Sequence, residues 1–418
     1  MSVCALRILS VLVLGTSLSL GAPLCGLTPS SSSSSASRSG SANPANPSGT
    51  SCLAATGSAG AGSIAASWYA GWHSADFPPS NISWSKYTNV IYSFAATTND
   101  VGTLSLDASD AETLPTFVSL AHQNGVKASL SIGGWSGSQY YSTAVGDETN
   151  RTTFVQTVLN LVSKYNLDGI DFDWEYPNGV GIGCNTMNAM DASNFLSFLQ
   201  ALRAEPAGAN LTLSAATSIK PWNGQDGTPL TDVSQFSKVL SFISVMNYDV
   251  WGSWSPTVGP NAPLNDTCAP PSDRDGSANA LASAGALALY PHYDAASQPN
   301  GDAWDSNGAM PDACGNPGTV GGVFDFWGLI DGGFLNANGT AADGMVYTYD
   351  NCSQTPYIYN PNTQVMVSYD DATSFAAKGK FITDSGLAGF AMWETGGDSG
   401  DILLDAIRGT GIKAAGSC

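Results

Sequence analysis

Short apolar runs recur along the chain from residue 67 onward, and amphipathic stretches separate several of them. The amphipathic stretches include 152–165 and 192–202 and have helical spacing. The apolar runs have the length of buried strands and span 67–70, 89–95, 127–132, 169–173, 211–216, 242–246 and 387–392. Strand and helix alternating over this length predict an α/β fold with parallel strands, and a closed (β/α)8 barrel fits best.

The segment 167–177, Leu-Asp-Gly-Ile-Asp-Phe-Asp-Trp-Glu-Tyr-Pro, alternates acidic and apolar residues. In a strand, successive side chains point to opposite faces, so Asp171, Asp173 and Glu175 share one face. Carboxylates this close cannot all ionise freely, and their pKa values are expected to separate. One carboxyl held as an acid and one held as an anion is the combination that glycosidic bond cleavage needs.

The alternative interpretation of this segment is a surface strand with a solvated acidic face. Its other face, formed by Ile170, Phe172 and Trp174, disfavours that alternative, because it suits packing beneath the helices of a parallel barrel. The acidic face would then point into the barrel. Unpaired carboxylates are costly there, and perturbed carboxylates often mark function.

Polar and aromatic residues follow three other predicted strands, at 131–135 (Ser-Ile-Gly-Gly-Trp), 246–249 (Met-Asn-Tyr-Asp) and 393–394 (Trp-Glu). Each group alone fits an ordinary role: a tight turn, a helix cap or a packed Trp. Because the carboxyl ends of parallel barrel strands meet at one face, we expect all three groups beside Glu175.

Composition narrows the class of partner. The 418 residues include 34 acidic and 14 basic ones, for a net charge of −20. This charge argues against nucleic acid and membrane surfaces as partners. The length suits one barrel with a smaller insertion, and we expect a monomer.

The N-terminal residues have the features of an export signal. Residues 1–22 are predicted to be a signal peptide, with Arg7 before a mostly apolar run too short and Ser-rich for a membrane span. Residues 23–66 are rich in Ser, Ala and Gly and predict a flexible linker, and 67–418 form the catalytic domain. We therefore expect a secreted, extracellular glycoprotein, and six sequons support export: Asn81, Asn150, Asn210, Asn265, Asn338 and Asn351.

The cysteines agree with an oxidising compartment, where disulfide bonds form. Seven cysteines remain beyond the predicted signal, an odd number, so one is free, pairs between chains or leaves with a propeptide. Their connectivity does not follow from spacing. No CxxC pair occurs and the chain has three His, so neither a metal site nor a cofactor is predicted.

These motifs carry a family resemblance. Residues 168–175 (Asp-Gly-Ile-Asp-Phe-Asp-Trp-Glu) resemble the DxxDxDxE motif of glycoside hydrolase family 18. Residues 131–134 resemble its SxGG motif, 246–249 its MxYD motif, 92–95 its second strand and Trp393 the Trp of its eighth strand. The likeness spans about 67–410 and is closest to secreted fungal-type (class V) endochitinases. It implies a TIM barrel, chitin and chito-oligosaccharides as partners, and retaining cleavage assisted by the substrate.

The resemblance also implies roles. Glu175 is the expected general acid and base, Asp173 orients the substrate acetamido group, Asp171 shares a proton with Asp173, and Tyr248 hydrogen-bonds the acetamido carbonyl. The substrate, not the protein, supplies the nucleophile. The expected substrate-binding residues are Asp249, Trp393, Met246, Gly133, Gly134, Trp135, Phe94, Tyr92 and Trp72. Further tryptophans are candidates for outer sugar subsites: Trp222, Trp251 and Trp254.

The chain departs from the family pattern before its last strand. The region 275–294 is short and lacks the glycines of the family's seventh strand, which predicts a shortened seventh strand. The sequence resumes its likeness at 322–326 and 367–371, within a predicted small α+β insertion at about 295–372. A missing strand would leave two unpaired edges and weaken closure of the barrel.

Two other functions stay open from the sequence. One is a chitin-binding lectin without catalysis, although such lectins typically lose the terminal Glu of the acidic motif, and Glu175 is present. The other is an endo-β-N-acetylglucosaminidase that acts on N-glycans and uses a similar acidic motif.

Overall fold

The computed structural model describes residues 2–6, 9–15, 63–252, 259–265, 300–305, 308 and 310–412. Trp254, the region 275–294 and the linker up to residue 62 lie outside these residues. The predictions made for them therefore remain predictions.

Strands and helices alternate along the described chain. The strands are β1 Ser2–Leu6, β2 Leu9–Gly15, β3 Ile64–Ala70, β4 Asn89–Thr97, β5 Leu104–Ser105, β6 Lys127–Gly133, β7 Gly169–Asp173, β8 Thr212–Thr217, β9 Phe242–Val245, β10 Val323–Phe324, β11 Val346–Asp350, β12 Thr355–Asn360, β13 Val365–Ser368 and β14 Gly389–Trp393. The α-helices are α1 Asp110–Gln123, α2 Gly134–Gly137, α3 Tyr141–Val145, α4 Glu148–Tyr165, α5 Asp191–Ala204, α6 Phe326–Asp331, α7 Ala372–Asp384 and α8 Ile402–Arg408. Short 3-10 helices span Gly71–His73, Pro79–Asn81, Trp84–Lys86 and Phe236–Lys238.

The predicted barrel is confirmed. Strands β3, β4, β6, β7, β8 and β9 pair in parallel in that order, and β14 pairs in parallel with β3. Each of the seven apolar runs predicted as strands overlaps one of these strands, to within two residues at the predicted ends of 211–216, 242–246 and 387–392, and the stretches 152–165 and 192–202 lie in α4 and α5. The carboxyl ends of the parallel strands define one face of the barrel, called the mouth below.

The position between β9 and β14 is filled by a strand from the other end of the chain. Strand β2 pairs with both neighbours in antiparallel orientation. A regular (β/α)8 barrel has a parallel seventh strand here. Both β1 and β2 lie within the predicted signal peptide, and the boundaries at residues 22 and 66 stay predictions.

The predicted small α+β insertion precedes the last barrel strand. Strands β11, β12 and β13 form an antiparallel meander, and β1 joins β13 to β10 by parallel pairing. Helix α6 follows β10 directly. The strands of the insertion, together with β1, therefore form a second sheet that is smaller than the barrel sheet.

Local sequence explains where the longer helices begin and end. At α4, the Asp147 carboxylate accepts a hydrogen bond from the Asn150 backbone N–H, and Asn166 adopts the left-handed conformation at the other end. At α7, Asp371 and Ser374 form a reciprocal capping box. These caps satisfy backbone groups that would otherwise be unpaired at the helix ends.

Buried apolar side chains form two clusters on opposite sides of the barrel wall. The larger lies between strands and helices and includes Ile170, Phe172 and Trp174. The smaller lies inside the barrel and comprises Ala66, Trp68, Ile91, Phe242, Ala388 and Ala391. Most apolar burial, and hence most of its stabilising free energy, therefore lies outside the barrel wall.

Asp398 links stability to pH. Its carboxylate accepts hydrogen bonds from the backbone N–H groups of Ser399, Leu403 and Leu404 at the start of α8. Burial raises the pKa of Asp398 to about 6. A raised pKa favours the neutral carboxyl in the folded state. The contribution of Asp398 to the free energy of unfolding is therefore fully present below pH 4 and is lost as the pH rises through 6.

We therefore expect Asp398→Asn to flatten the pH dependence of the free energy of unfolding between pH 4 and pH 7. The expected difference from wild type is about 2–3 kcal/mol over that range. Urea titrations at several pH values measure it, with the exposed Asp343→Asn as control. Parallel pH profiles for wild type and Asp398→Asn would contradict the assignment.

Candidate active site

The acidic ladder lies on β7 and the residues just after it. As its alternation predicts, the apolar side chains pack outward: Phe172 contacts Phe195 and Phe198 of α5, and Trp174 stacks on Tyr141 at 5.0 Å. The acidic side chains therefore face the barrel interior and its mouth.

Asp171 lies deepest and is held by three donors. Its Oδ2 accepts hydrogen bonds from Trp68 Nε1 at 3.1 Å and Ser131 Oγ at 2.8 Å, and its Oδ1 accepts one from Ser214 Oγ at 2.6 Å. Burial raises the pKa of Asp171, and the three donors oppose that rise. Asp171 is thus fixed in place by strands β3, β6 and β8.

Asp173 is buried above Asp171 with an unsatisfied oxygen. Its Oδ1 has no hydrogen-bond partner in the described protein. Burial raises its pKa strongly, and the charges of Glu175 and Asp171 raise it further. Asp173 therefore takes up a proton more readily than an exposed Asp, and its free oxygen is available to a polar ligand group.

Glu175 is half-buried at the end of the ladder. Its charge raises the pKa of Asp173 and of Tyr248, so the carboxyl lies near both. The neighbouring Tyr176 hydrogen-bonds the Glu175 side chain, and burial followed by the charge of Glu175 raises the pKa of Tyr176. Glu175 and Tyr248, predicted to act together, are thus brought together.

The motif at 246–249 places its residues at different depths. Burial, then the charges of Asp173 and Glu175, raise the pKa of Tyr248, so its hydroxyl stays protonated and can donate a hydrogen bond. Asp249 is exposed on the rim, and its Oδ1 accepts a hydrogen bond from Asn261 Nδ2 at 3.2 Å. Met246 is buried beneath them.

The rings of Trp393, Phe94 and Trp72 form an aromatic surface beside the acidic ladder, and the buried Trp68 packs against Trp393. Trp393, at the end of β14, stacks on Phe94 at 5.5 Å and lies 6.0 Å from Trp72 and 6.2 Å from Trp68. Trp72 is 46% exposed, so its ring can meet a ligand. Trp135 is 51% exposed at the end of β6. The predicted platform residues Trp393, Phe94 and Trp72 therefore lie together.

Gly133 and Gly134 allow close approach of the backbone. Their φ angles are +107° and +77°, which favour glycine. A Cβ at Gly133 would lie 2.2 Å from the carbonyl oxygen of Asp173, and one at Gly134 would meet the Phe94 ring at 2.9 Å. Both glycines shape the site through the backbone.

Tyr92 does not lie at the mouth, which corrects the prediction that it binds substrate. Its side chain is fully buried in the outer core, and its hydroxyl donates to Asp110 Oδ1 at 2.5 Å. The register between β4 and β6 shifts between Tyr92 and Ala95, as at a β-bulge. This shift turns Phe94 inward although Tyr92 points outward.

Trp222 is also a core residue. It is buried and packs on Phe195 and Phe236, so it does not line a sugar subsite. Trp251 is half-buried and packs close to Gly259, where a Cβ would lie 2.3 Å from the indole ring.

Several site residues were not identified from the sequence. Trp68 and Ser214 hold Asp171, and Tyr176 holds Glu175. Ser131 and Ser214 reach Asp171 because all three occupy the same level of the paired strands. Finding these residues requires the register between neighbouring strands, and the apolar pattern of the sequence does not contain that register.

A disulfide joins Cys184, in the loop after the acidic ladder, to Cys314. It closes a segment of 130 residues, so its removal enlarges the entropy of the unfolded chain. We expect the double variant Cys184→Ser/Cys314→Ser to lose about 2–4 kcal/mol of unfolding free energy in urea titrations. An unchanged unfolding midpoint in the double variant would contradict this prediction.

Among the described residues, no group of three His, Cys, Asp or Glu is arranged to hold a metal ion. Within that same part of the chain, no helix has the length and apolar character needed to cross a membrane.

A barrel of seven parallel strands with a ladder of carboxyls and an aromatic surface at its mouth is typical of barrel glycoside hydrolases. Residues 65–398 match the family profile of glycosyl hydrolases family 18. The chain belongs to that family.

Among the relatives of this chain are proteins of two kinds, those named chitinase-like effectors and those named chitinases. The chain is 48% identical over 397 residues to a "chitinase-like effector" of Moniliophthora roreri, covering 86% of this chain and 96% of the relative. It is 26% identical to "Chitinase 1" of Aphanocladium album, covering 80% and 82%. The crystal structure of a chitinase from Rhizomucor miehei superposes with a TM-score of 0.71 at 28% identity, over 83% of this chain and 99% of that one.

Proposed function

We propose that the protein is a secreted chitinase that hydrolyses β-1,4 bonds between N-acetylglucosamine units by retaining, substrate-assisted catalysis. The observation that carries this proposal is the ladder Asp171–Asp173–Glu175 facing Tyr248 at the barrel mouth. Membership of family 18 and the chitinases among its relatives support the substrate.

Each step of such a reaction is assigned to a group of the site. Glu175 donates its proton to the glycosidic oxygen while the substrate's acetamido carbonyl oxygen attacks the anomeric carbon. The acetamido N–H donates to the free oxygen of Asp173, and the Tyr248 hydroxyl donates to the acetamido carbonyl. Glu175, now a carboxylate, then takes a proton from the water that opens the cyclic intermediate.

Binding is assigned to the aromatic surface. A pyranose ring has an apolar C–H face that packs on an aromatic ring. We assign Trp393 to the sugar next to Glu175, and the exposed rings of Trp72 and Trp135 to sugars farther out. We assign Asp249, on the rim, to a sugar hydroxyl or the acetamido group.

Release of new reducing ends from chitotetraose tests the proposal. Wild-type protein should produce chitobiose and shorter products in a time-dependent manner. Release of glycans from a glycoprotein without action on chitotetraose would identify an endo-β-N-acetylglucosaminidase instead.

A second candidate is chitin binding without hydrolysis. The relatives named "chitinase-like effector", at 48% and 47% identity, favour it. Saturable binding of chitotetraose by calorimetry, with no product after prolonged incubation, would establish this candidate. The presence of Glu175 favours hydrolysis.

Export to the extracellular space belongs to the same proposal. The apolar N-terminal segment, the sequons and the Cys184–Cys314 disulfide support it. Five sequon asparagines are exposed, whereas the half-buried Asn150 donates through Nδ2 to the Thr143 carbonyl at 3.0 Å. We therefore expect the other five to be the better glycosylation sites.

A further inference from the structure

The backbone of Glu175 is hydrogen-bonded on both sides by side chains from two different loops. Its N–H donates to Ser138 Oγ at 3.0 Å. Its carbonyl oxygen accepts a hydrogen bond from Asn185 Nδ2 at 2.8 Å. These two side chains hold the Glu175 residue at both of its peptide groups.

Ser138 comes from the loop after β6 and is fully buried. Besides accepting from Glu175, its hydroxyl lies 2.9 Å from the carbonyl oxygen of Asp173 and 2.8 Å from that of Gly134. One side chain therefore bridges the backbone of two members of the acidic ladder. This contact fixes the spacing between them without touching either carboxyl.

Asn185 comes from the loop that follows the ladder, and this loop is fixed at several points. The N–H and the hydroxyl of Thr186 both donate to the Gln139 carbonyl oxygen, at 2.7 and 2.8 Å. Cys184 is bonded to Cys314, and Gln139 Nε2 donates to the Ala313 carbonyl at 3.2 Å. Gln139 and Thr186, the residues next to Ser138 and Asn185, are thus hydrogen-bonded to each other. The segment that contains Ala313 and Cys314 is linked to both loops.

We propose that Ser138 and Asn185 are positioning residues for Glu175, together called the Glu175 clamp. This inference rests on the proposed hydrolytic function. The physical reason is that proton transfer demands a heavy-atom distance of about 2.6–3.2 Å between acid and leaving oxygen. A displacement of about 1 Å can lower the rate about a hundredfold. Strand β7 ends at Asp173, so its backbone pairing does not reach Glu175, and the clamp holds the Glu175 backbone instead.

Steady-state kinetics on chitotetraose test the clamp. The variants are Ser138→Ala, Asn185→Ala and the combination of both. Ser129→Ala is the control for the first, because Ser129 is also buried but bonds to Asn89 at 3.0 Å, away from the ladder. Asn124→Ala is the control for the second, since Asn124 also donates from Nδ2 to a backbone carbonyl at 2.8 Å, on α1.

Each clamp variant should lower kcat about 10- to 100-fold and leave KM within about threefold. The KM is expected to stay nearly unchanged because Trp393, Phe94, Trp72 and Tyr248 belong to other segments of the chain. The double variant should lose less than the product of the two single effects, because both side chains hold one residue. The controls should keep kcat within about twofold. Thermal unfolding of all variants identifies any that do not fold, in which case Asn185→Ala, in the more accessible loop, decides alone.

Two failures are distinguishable. If the wild-type protein releases no reducing ends from chitotetraose, the proposed hydrolytic function is wrong, and the role proposed for Ser138 and Asn185 is rejected with it. If wild type is active and both clamp variants match their controls in kcat, the clamp alone is wrong. A rise in KM with unchanged kcat would also overturn it, because that pattern indicates substrate contact instead of positioning.

Discussion

Replacing Glu175 with Gln is expected to lower kcat on chitotetraose by at least about a hundredfold, with binding retained. The substitution keeps the size of the half-buried side chain and removes the proton that the glycosidic oxygen needs. General acid catalysis typically contributes about 10²–10⁴-fold, which sets the magnitude. Binding should persist because Trp393, Phe94 and Trp72 form their surface independently of Glu175.

The matched control is Glu112→Gln, at an exposed position on α1. It should keep full activity. Reducing-end assays give kcat, and calorimetry with chitotetraose gives the affinity. Undiminished hydrolysis by Glu175→Gln would reject Glu175 as the acid. Equal binding by wild type and variant, with no hydrolysis by either, would support the chitin-binding candidate.

The largest expected loss of stability follows replacement of Lys378 by Met. Lys378 Nζ lies 2.8 and 2.7 Å from the two carboxylate oxygens of Asp370, and the side chains are 1% and 2% exposed. Without Lys378, the Asp370 carboxylate keeps one hydrogen bond, from Ser374 Oγ at 2.6 Å. An uncompensated buried charge costs about 3–5 kcal/mol.

Denaturant titration of Lys378→Met measures this loss. The loss should shrink on acidification, because burial raises the pKa of Asp370 and Lys378 opposes that rise; without Lys378 the carboxyl takes up a proton more readily. The double variant Lys378→Met/Asp370→Leu should regain most of the stability, since it removes both charges.

The control lies on the same helix. Lys380 and Asp384 form an ion pair at 2.5 Å with side chains 70% and 60% exposed. Lys380→Met should therefore cost no more than about 0.5 kcal/mol. Equal losses for Lys378→Met and Lys380→Met would contradict the role assigned to the buried pair.

The sequence was sufficient for the barrel and for the order of the acidic ladder. Seven apolar runs became its parallel strands, and the period of two placed Asp171 and Asp173 inside and Phe172 outside. These features depend on local alternation, which the sequence contains directly.

What the sequence lacked was long-range register and local irregularity. The partners of Asp171 depend on which residues of β6 and β8 lie level with it. Tyr92 was misassigned because a register shift separates it from Phe94. Ser138 and Asn185 reach Glu175 through loops whose paths follow from tertiary contacts, and no residue pattern predicts the antiparallel β2 between β9 and β14.

The division of apolar side chains between the two sides of the barrel wall has a consequence for evolution. Stability resides mainly beneath the helices, whereas the groups assigned to chemistry lie at the mouth, beside the smaller apolar cluster inside the barrel. Exchanges at the mouth, other than at Gly133 and Gly134, should therefore cost little stability, and a barrel of this kind can move between hydrolysing a polysaccharide and only binding it when a few side chains change. In this chain the position proposed to donate the proton holds the carboxylic acid Glu175.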